Sequence, residues 1–145
     1  MKYLQNKYSP NEIYSFLQKV DSYFEPAPLS TRVDLREYSE KIAKKAEHFS
    51  CEVNNQLVGI LCCYINNTNG QTVYITLTCI DPKYFGLGIA KKLTENCELY
   101  ANKIGFKYIE MEIPIKNFRS VKIHLKMNYE IIKKENDSYF LKKII

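Results

Sequence analysis

The chain has 145 residues, with 21 Lys and Arg against 16 Asp and Glu and a formal net charge of +5. This length suits one domain with a core that needs no disulfide or structural metal, so we expect residues 1–145 to form a single domain. The sequence has no long uncharged apolar stretch and no signal-like N-terminus, which predicts a cytoplasmic protein without a membrane span. The basic residues are scattered, which argues against nucleic acid as a partner.

Cysteine and histidine spacing gives no indication of a metal site. The cysteines lie inside apolar runs without the paired spacing of a zinc site, and His48 and His124 have no ligand-type neighbour at helical or loop spacing. We therefore predict buried free thiols and no metal. The five cysteines are Cys51, Cys62, Cys63, Cys79 and Cys97.

Two helices are predicted near the N-terminus. Ser9 and Glu12 form a capping-box pattern around Pro10, and apolar residues follow at helical spacing. After the prolines at 26 and 28, Asp34 and Glu37 offer a second capping pattern. A helix pair therefore precedes the first sheet signals.

The sequence from residue 49 onward predicts three strands in an antiparallel meander. Apolar residues alternate over 49–53, a continuous apolar run covers 57–65, and β-branched residues dominate 71–80. Asn54-Asn55 and residues 66–70 provide the two turns.

The second half predicts a helix, a strand, a short helix and a closing hairpin. Apolar residues recur at helical spacing over 89–104, before an alternating strand at 108–113. Because a helix connects this strand to the previous one, the two strands should be parallel neighbours. A short helix at 117–126 and strands near 129–133 and 139–143 complete an α/β fold of the α+β type, in which helices flank one mixed, mostly antiparallel sheet.

A glycine loop lies between the strand that ends near Ile80 and the helix that begins near Ile89. A strand that leads through glycines into a helix start directs several unpaired backbone N–H groups towards one point, where the helix dipole also favours negative charge. Gly86 and Gly88 lack the Cβ atoms that would hold a phosphate away, and Ala90 is small. The loop has neither the Lys-Ser or Lys-Thr pair of a P-loop nor the third glycine of a dinucleotide fold.

This loop resembles motif A of the GCN5-related N-acetyltransferase (GNAT) superfamily, in which an apolar strand end and a proline precede a glycine-rich phosphate loop. A second family motif, Asn and a small residue followed by an aromatic residue and Lys-x-Gly-Phe, is similar to Asn117, Ser120, His124 and residues 126–129. The order of the predicted elements also resembles the family order over most of the chain. The resemblance implies the family's fold, including central strands that splay apart.

The resemblance also implies an acetyl-CoA site. The loop N–H groups would hold the CoA pyrophosphate, and the backbone of the preceding strand would pair with the pantetheine arm. Phe85 replaces the usual Gln or Arg, which removes a charge-assisted phosphate contact and predicts weaker cofactor binding. The implied cofactor residues are Thr78, Cys79, Ile80, Phe85, Gly86, Leu87, Gly88, Ile89, Ala90, Asn117 and Ser120.

Acetyl transfer to an amine needs a neutral nucleophile, a donor for the developing oxyanion and a proton source for the departing thiolate. His124 occupies the position of a family tyrosine that protonates the thiolate, and an imidazole could do the same; a histidine that merely packs in the helix is an equal alternative. Glu110 and Glu112 share one strand face and are candidate bases, although strand-end charges are often only solvated. Cys79 has no activating partner that would make it a nucleophile.

These features predict an acetyl-CoA-dependent N-acetyltransferase that transfers the acetyl group directly to the primary amine of a small molecule. The alternative is a CoA-binding GNAT-like module without turnover, because Phe85 and His124 both depart from the family pattern. The chain could act as a monomer or as a homodimer.

Overall fold

One seven-stranded sheet carries all the strands of the computed structural model, which describes residues 1–65 and 71–145. The strands are β1 (Lys2–Gln5), β2 (Glu47–Val53), β3 (Gln56–Tyr64), β4 (Thr72–Ile80), β5 (Tyr108–Pro114), β6 (Glu130–Glu135) and β7 (Ser138–Ile144). The helices are α1 (Pro10–Val20), α2 (Leu35–Lys45), α3 (Ile89–Lys103) and α4 (Phe118–Lys126), with short 3-10 turns at Asp21–Tyr23, Leu29–Thr31 and Pro82–Tyr84.

The predicted caps begin both N-terminal helices. Ser9 and Glu12 form the reciprocal capping box of α1, and the Asp34 side chain accepts the Glu37 N–H at 2.9 Å at the start of α2. Each bond satisfies a backbone donor that the first helical turn leaves unpaired. Local sequence therefore determines where these helices begin.

The sheet is mixed, with strand order β1-β2-β3-β4-β5-β7-β6. The meander over β2, β3 and β4 is antiparallel, and β4 pairs in parallel with β5, with α3 as the connection between them. These observations confirm the predicted fold class, including the parallel pair.

The two central strands separate halfway along their length. Only residues 72–75 of β4 pair with residues 108–111 of β5, whereas β5 continues to pair with β7 as far as Pro114. The separation begins at a bulge, because Cys62 pairs with Leu77 and Cys63 pairs with Ile75, which leaves Thr76 as an extra residue. The predicted splay of the central strands is thereby confirmed.

The bulge also changes which face of the sheet β4 contributes to. Val73 and Ile75 pack in the core beneath α3, whereas Leu77 and Cys79 pack in the core beneath α1 and α2. All five cysteines are buried and free, as the sequence predicts. A Cβ on Gly59 of β3 would come within 3.0 Å of Ile89 Cγ2, so a glycine allows α3 to sit close to the sheet.

Two features of the fold were not predicted from the sequence, and one predicted turn cannot be compared with the structure. The short strand β1 pairs with β2 at the sheet edge, and β7 inserts between β5 and β6; neither was predicted. The turn predicted at residues 66–70 lies outside the described residues.

Among the residues described, none of the helices is long and apolar enough to cross a membrane. Within residues 1–65 and 71–145, His, Cys, Asp and Glu side chains form no cluster of three that could hold a metal ion.

Candidate active site

A buried carboxylate organises the turn that leads from β4 into the glycine loop. The Asp81 side chain accepts the Lys83 N–H at 3.0 Å and pairs with Lys19 Nζ from α1 at 3.0 Å. Burial alone would raise the pKa of Asp81, but the Lys83 N–H and the Lys19 ammonium together lower it below its ordinary value. Asp81 therefore stays ionised, and its hydrogen bond and ion pair stabilise the turn that follows β4.

The glycine loop exposes the uncapped N-terminus of α3. Gly86 and Gly88 both have φ of +79°, a conformation that favours glycine. Gly88 is the N-cap residue, so no side chain caps the helix, and Lys92 is the first α3 residue whose N–H reaches a helix carbonyl, that of Gly88 at 3.0 Å. A Cβ on either glycine would meet nothing within 4 Å. The N–H groups of the first turn before Lys92 therefore have no helix carbonyl to bond, and they lie at the positive end of the helix dipole, where an anion is favoured.

Basic side chains line the cavity over this loop. The cavity has a volume of about 630 Å³ and includes Lys91 of α3 together with Arg119, Lys122 and Lys126 of α4. The three α4 residues recur at helical spacing on the side of the helix that meets the loop. A glycine cradle surrounded by four cations fits a ligand that carries several phosphates.

Three adjoining cavities form a groove from the glycine loop to the gap between β4 and β5. The cavity of about 630 Å³ shares Ile80, Phe85 and Arg119 with a second cavity of about 560 Å³. The second cavity shares Thr78 and His124 with a third, of about 320 Å³, which lies between the separated strands. The fold thus connects the anion site with a pocket beside β4 and β5.

His124 lines both the 560 Å³ cavity and the 320 Å³ cavity of the groove. Its side chain is 2% exposed and packs edge-on against Tyr129, with 5.6 Å between ring centroids. Nδ1 lies 2.8 Å from the Ser120 carbonyl oxygen, and the Asn117 side chain caps α4 by accepting the Ser120 N–H at 3.3 Å. The Nε2 atom is buried and has no hydrogen-bond partner among the described residues.

These contacts define the protonation state of His124. A carbonyl oxygen only accepts, so Nδ1 carries the proton and Nε2 presents a lone pair in the neutral ring. Burial lowers the pKa of His124, although the Ser120 carbonyl and Glu98 act in the opposite direction. At neutral pH this imidazole is therefore uncharged and can accept a proton at Nε2, whereas the predicted role as a donor needs the ring to be protonated first.

The two predicted bases on β5 lie in different surroundings. Glu112 lines the 320 Å³ cavity between the separated strands. Glu110 lies two residues back, opposite Tyr74 in the parallel pairing, and its carboxylate is 3.9 Å from Lys142 Nζ. The geometry therefore brings Glu112 together with His124 in the groove, and it places Glu110 beside a cation.

Aromatic and charged residues from the N-terminal half complete the 320 Å³ cavity. Phe24, Glu25, Arg32 and Tyr38 line it on one side, and Tyr74 of β4 lies on the other. Burial raises the pKa of Tyr38 to about 12, and burial together with Glu112 and Glu110 raises the pKa of Tyr74. Both phenols remain protonated at neutral pH and are available as hydrogen-bond donors.

The other residues of the predicted cofactor site differ in what they can offer. Burial raises the pKa of Cys79, which keeps it a thiol and agrees with a packing role. Ile89 is buried in the core, so only its backbone faces the loop, and Leu87 is 54% exposed at the loop tip. The groove-lining residues among the predicted set are Thr78, Cys79, Ile80, Phe85, Gly86, Gly88, Ile89, Ala90, Asn117 and Ser120.

The sequence-based prediction missed several residues that line the groove. Phe24 and Glu25 lie in an irregular, proline-containing segment whose position no periodicity reveals. The spacing of Arg119, Lys122 and Lys126 could have indicated a basic α4 face. Arg36 of α2 does not line these cavities, and its guanidinium carbon lies 3.9 Å from the ring centroid of Tyr14 in α1.

The chain belongs to the acetyltransferase (GNAT) family, whose model matches residues 11–129. The match covers both N-terminal helices, the glycine loop and α4, which are the elements that form the groove. The predicted family is thereby confirmed.

Comparisons with individual proteins agree with this assignment. The chain is 32% identical to a probable N-acetyltransferase, san, of Drosophila melanogaster over 128 residues, which cover 85% of this chain and 66% of that protein. PaiA N-acetyltransferase of Thermoplasma acidophilum, solved in complex with coenzyme A, has a TM-score of 0.81 at 14% identity over 100% of both chains. An aminoglycoside 6′-acetyltransferase of type Ii has a TM-score of 0.80 at 13% identity, covering 99% of this chain and 97% of that chain. The two structural similarities concern the fold alone.

Proposed function

We propose that this protein is an acetyl-CoA-dependent N-acetyltransferase that acts on the primary amine of a small molecule. The observation that carries the proposal is the series of adjoining cavities that forms the groove. The groove begins at an uncapped helix N-terminus with four cations around it and ends between separated strands, beside a carboxylate and an imidazole whose Nε2 has no partner among the described residues. Membership of the acetyltransferase family supports the same chemistry.

Different residues of the groove would bind different parts of the cofactor. The N–H groups of residues 86–90 would hold the pyrophosphate, and the backbone of Thr78, Cys79 and Ile80, which faces the gap beside β5, would pair with the pantetheine arm. Asn117 and Ser120 would lie along the same arm. When bound, acetyl-CoA supplies an acetyl group activated as a thioester.

Carboxylates at the far end of the groove favour a cationic acceptor. Glu25 and Glu112 both line the 320 Å³ cavity, against a single cation, Arg32. An ammonium group is attracted there, and Glu112 can remove a proton from it so that a neutral amine is available for attack. The volume of about 320 Å³ is at the small end of ligand pockets, which favours a small acceptor.

His124 can accept the second proton of the reaction and then donate it. Its neutral ring accepts at Nε2 the proton that leaves the amine nitrogen as the new amide bond forms. The protonated ring then holds an N–H that can be given to the departing thiolate, which matches the donor role predicted from the sequence. The Ser120 carbonyl fixes the ring throughout by accepting the Nδ1–H.

A thermal-shift titration followed by a thiol-release assay tests the proposal. At a hundred times its Kd, acetyl-CoA should stabilise the fold by about 2.7 kcal/mol, or roughly 8 °C for a chain of this size. Pantetheine, which has no phosphates, is the control and should stabilise the protein much less. Thiol release is then measured with panels of small amines and of peptides with free N-termini.

Each outcome of these assays is decisive. Stabilisation together with release of the CoA thiol in the presence of a small amine supports the proposal, whereas thiol release with peptides alone would overturn the acceptor class. Stabilisation without thiol release in the presence of any amine would favour the CoA-binding module. Absence of stabilisation contradicts both.

A further inference from the structure

Arg119 of α4 lies over the ring of Phe85 at the entrance of the glycine loop. The guanidinium carbon is 4.2 Å from the ring centroid. Both side chains line the 560 Å³ and 630 Å³ cavities, so the pair lies where the phosphate end of the groove meets its centre. Phe85 is 39% exposed, so part of its ring remains open beside Arg119.

The contact with Phe85 leaves the N–H groups of Arg119 able to donate to another group, because an arginine over an aromatic face interacts with the ring through its charge. Within the described part of the chain, no carboxylate lies within ion-pair distance of Arg119. Arg36 shows the contrast: it also stacks, on Tyr14 at 3.9 Å, but it donates to Asn11 Oδ1 at 2.7 Å.

The loop beside this pair has no charge of its own. Residues 85–90 read Phe-Gly-Leu-Gly-Ile-Ala, and the nearby Asp81 is already paired with Lys19. No side chain of residues 85–90 can therefore supply a charge-assisted contact to a phosphate. The cations that line the cavity over the loop are Lys91 of α3 and Arg119, Lys122 and Lys126 of α4. The planar fork of an arginine matches two phosphate oxygens at once, which a lysine cannot do.

We propose that Arg119, positioned by its stacking on Phe85, forms the charge-assisted contact to the pyrophosphate of bound CoA. The proposal rests on the proposed function and adds to it which element provides each contact to the pyrophosphate. The loop supplies backbone N–H groups and an aromatic platform, and α4 supplies the cation. Phe85 then acts as a positioning residue that replaces a charged loop residue without removing charge from the site.

Isothermal titration calorimetry of CoA, 3′-dephospho-CoA and pantetheine tests this assignment. Arg119→Ala should weaken CoA and 3′-dephospho-CoA about tenfold or more, the effect of losing a hydrogen bond to a charged group, and should leave pantetheine unchanged. Arg119→Lys should recover only part of the loss. Arg36→Ala removes the same charge from a stacked arginine outside the groove and should bind CoA within about twofold of the wild type.

The role of Phe85 is tested by a double-mutant cycle. Phe85→Ala should weaken CoA roughly threefold because Arg119 loses its platform, and Phe85→Ala combined with Arg119→Ala should be no weaker than Arg119→Ala alone. Additive losses would overturn the positioning role.

The remaining outcomes separate this inference from the proposed function. Wild-type affinity in Arg119→Ala would refute the contact while leaving the CoA site intact. A loss seen with CoA but absent with 3′-dephospho-CoA would place the contact on the 3′-phosphate and overturn the pyrophosphate assignment. Failure of the wild type to bind CoA would refute the proposed function itself.

Discussion

At the scale of single residues, His124 has the most unusual surroundings in the groove. One ring nitrogen is bound to a backbone carbonyl, and the other is buried without a partner among the described residues. A buried polar atom without a partner costs free energy. His48 shares this pattern, because its Nε2 accepts the Tyr8 N–H at 3.0 Å and its buried Nδ1 has no partner among the described residues. His124 differs in that it lines the groove, and this position favours a functional explanation over plain packing.

We predict that His124→Phe lowers kcat about a hundredfold or more, the usual contribution of a positioned proton acceptor or donor, and leaves the Kd for CoA within about twofold. Phenylalanine retains the ring that packs on Tyr129 but has no nitrogen. Steady-state kinetics and calorimetry measure the two quantities. An unchanged kcat would remove His124 from the reaction.

The wild-type pH profile tests the direction of the proton transfer. Because burial lowers the pKa of His124, the neutral ring dominates at pH 7, and kcat/KM should fall as acid protonates Nε2. A rate that instead rises as the pH falls below 6.5 would show that the ring must begin as the acid.

The comparison of Glu112→Gln with Glu110→Gln tests the assignment of the base. Both residues lie on the same face of β5, so the two variants perturb the strand similarly. Of the two, only Glu112 lines the 320 Å³ cavity proposed for the acceptor. Glu112→Gln should therefore lower kcat/KM for the amine about a hundredfold, whereas Glu110→Gln should change it less than about threefold. The reverse pattern would assign the base to Glu110.

At the scale of elements, the glycine loop begins α3 and is also the proposed site of the CoA pyrophosphate. Gly88→Val should abolish measurable CoA binding because the side chain occupies the open space beside the free N–H groups. The matched control is Gly105→Val at the other end of α3, where φ is +89° and a Cβ also meets nothing within 4 Å. Both variants should lose about 1–3 kcal/mol of stability from left-handed strain, and only Gly88→Val should lose the ligand. Equal CoA affinity in the two variants would contradict the loop assignment.

The elements also explain which parts of the fold the sequence could predict. The capping box at Ser9 and the loop at Gly86 are local patterns, so their signals lie within a few residues. β1 has only four residues and forms by pairing with β2, more than forty positions away, which no local pattern contains. The place of β7 between β5 and β6 is likewise a long-range choice.

The same distinction applies to the candidate site. The residues of the glycine loop are contiguous, so its turn and helix start could be predicted from the sequence, whereas Phe85 and Arg119 meet only because α4 folds over the loop. Glu25 reaches the acceptor cavity from a segment without periodicity. Contacts between distant segments depend on the tertiary structure, which is why the acceptor end was predicted least completely.

At the scale of the whole molecule, the two histidines make stability sensitive to mild acid. Both side chains are buried, and burial lowers the pKa of each. The unfolded chain therefore binds more protons below the ordinary histidine pKa of 6.5, and the fold loses stability as the pH falls through this value towards the folded pKa.

We predict that the free energy of unfolding falls between pH 7.5 and pH 5.5, with a slope of at most about 1.4 kcal/mol per pH unit for each histidine. Urea denaturation at a series of pH values measures it. His48→Gln and His124→Gln should each flatten the slope. A constant free energy of unfolding across this range would show that folding does not lower the pKa of either histidine.

The separation of β4 from β5 has a mechanical consequence. Four residue pairs join the half of the sheet that holds β1 to β4 to the half that holds β5 to β7. The other neighbouring strands from β2 to β7 are joined by five to seven residue pairs each. A ligand that lies between the separated ends of β4 and β5 and bonds to β4 would connect the halves like an added strand. Binding should then slow local opening, and amide hydrogen exchange in β4 and β5 would report how firmly the two halves are joined.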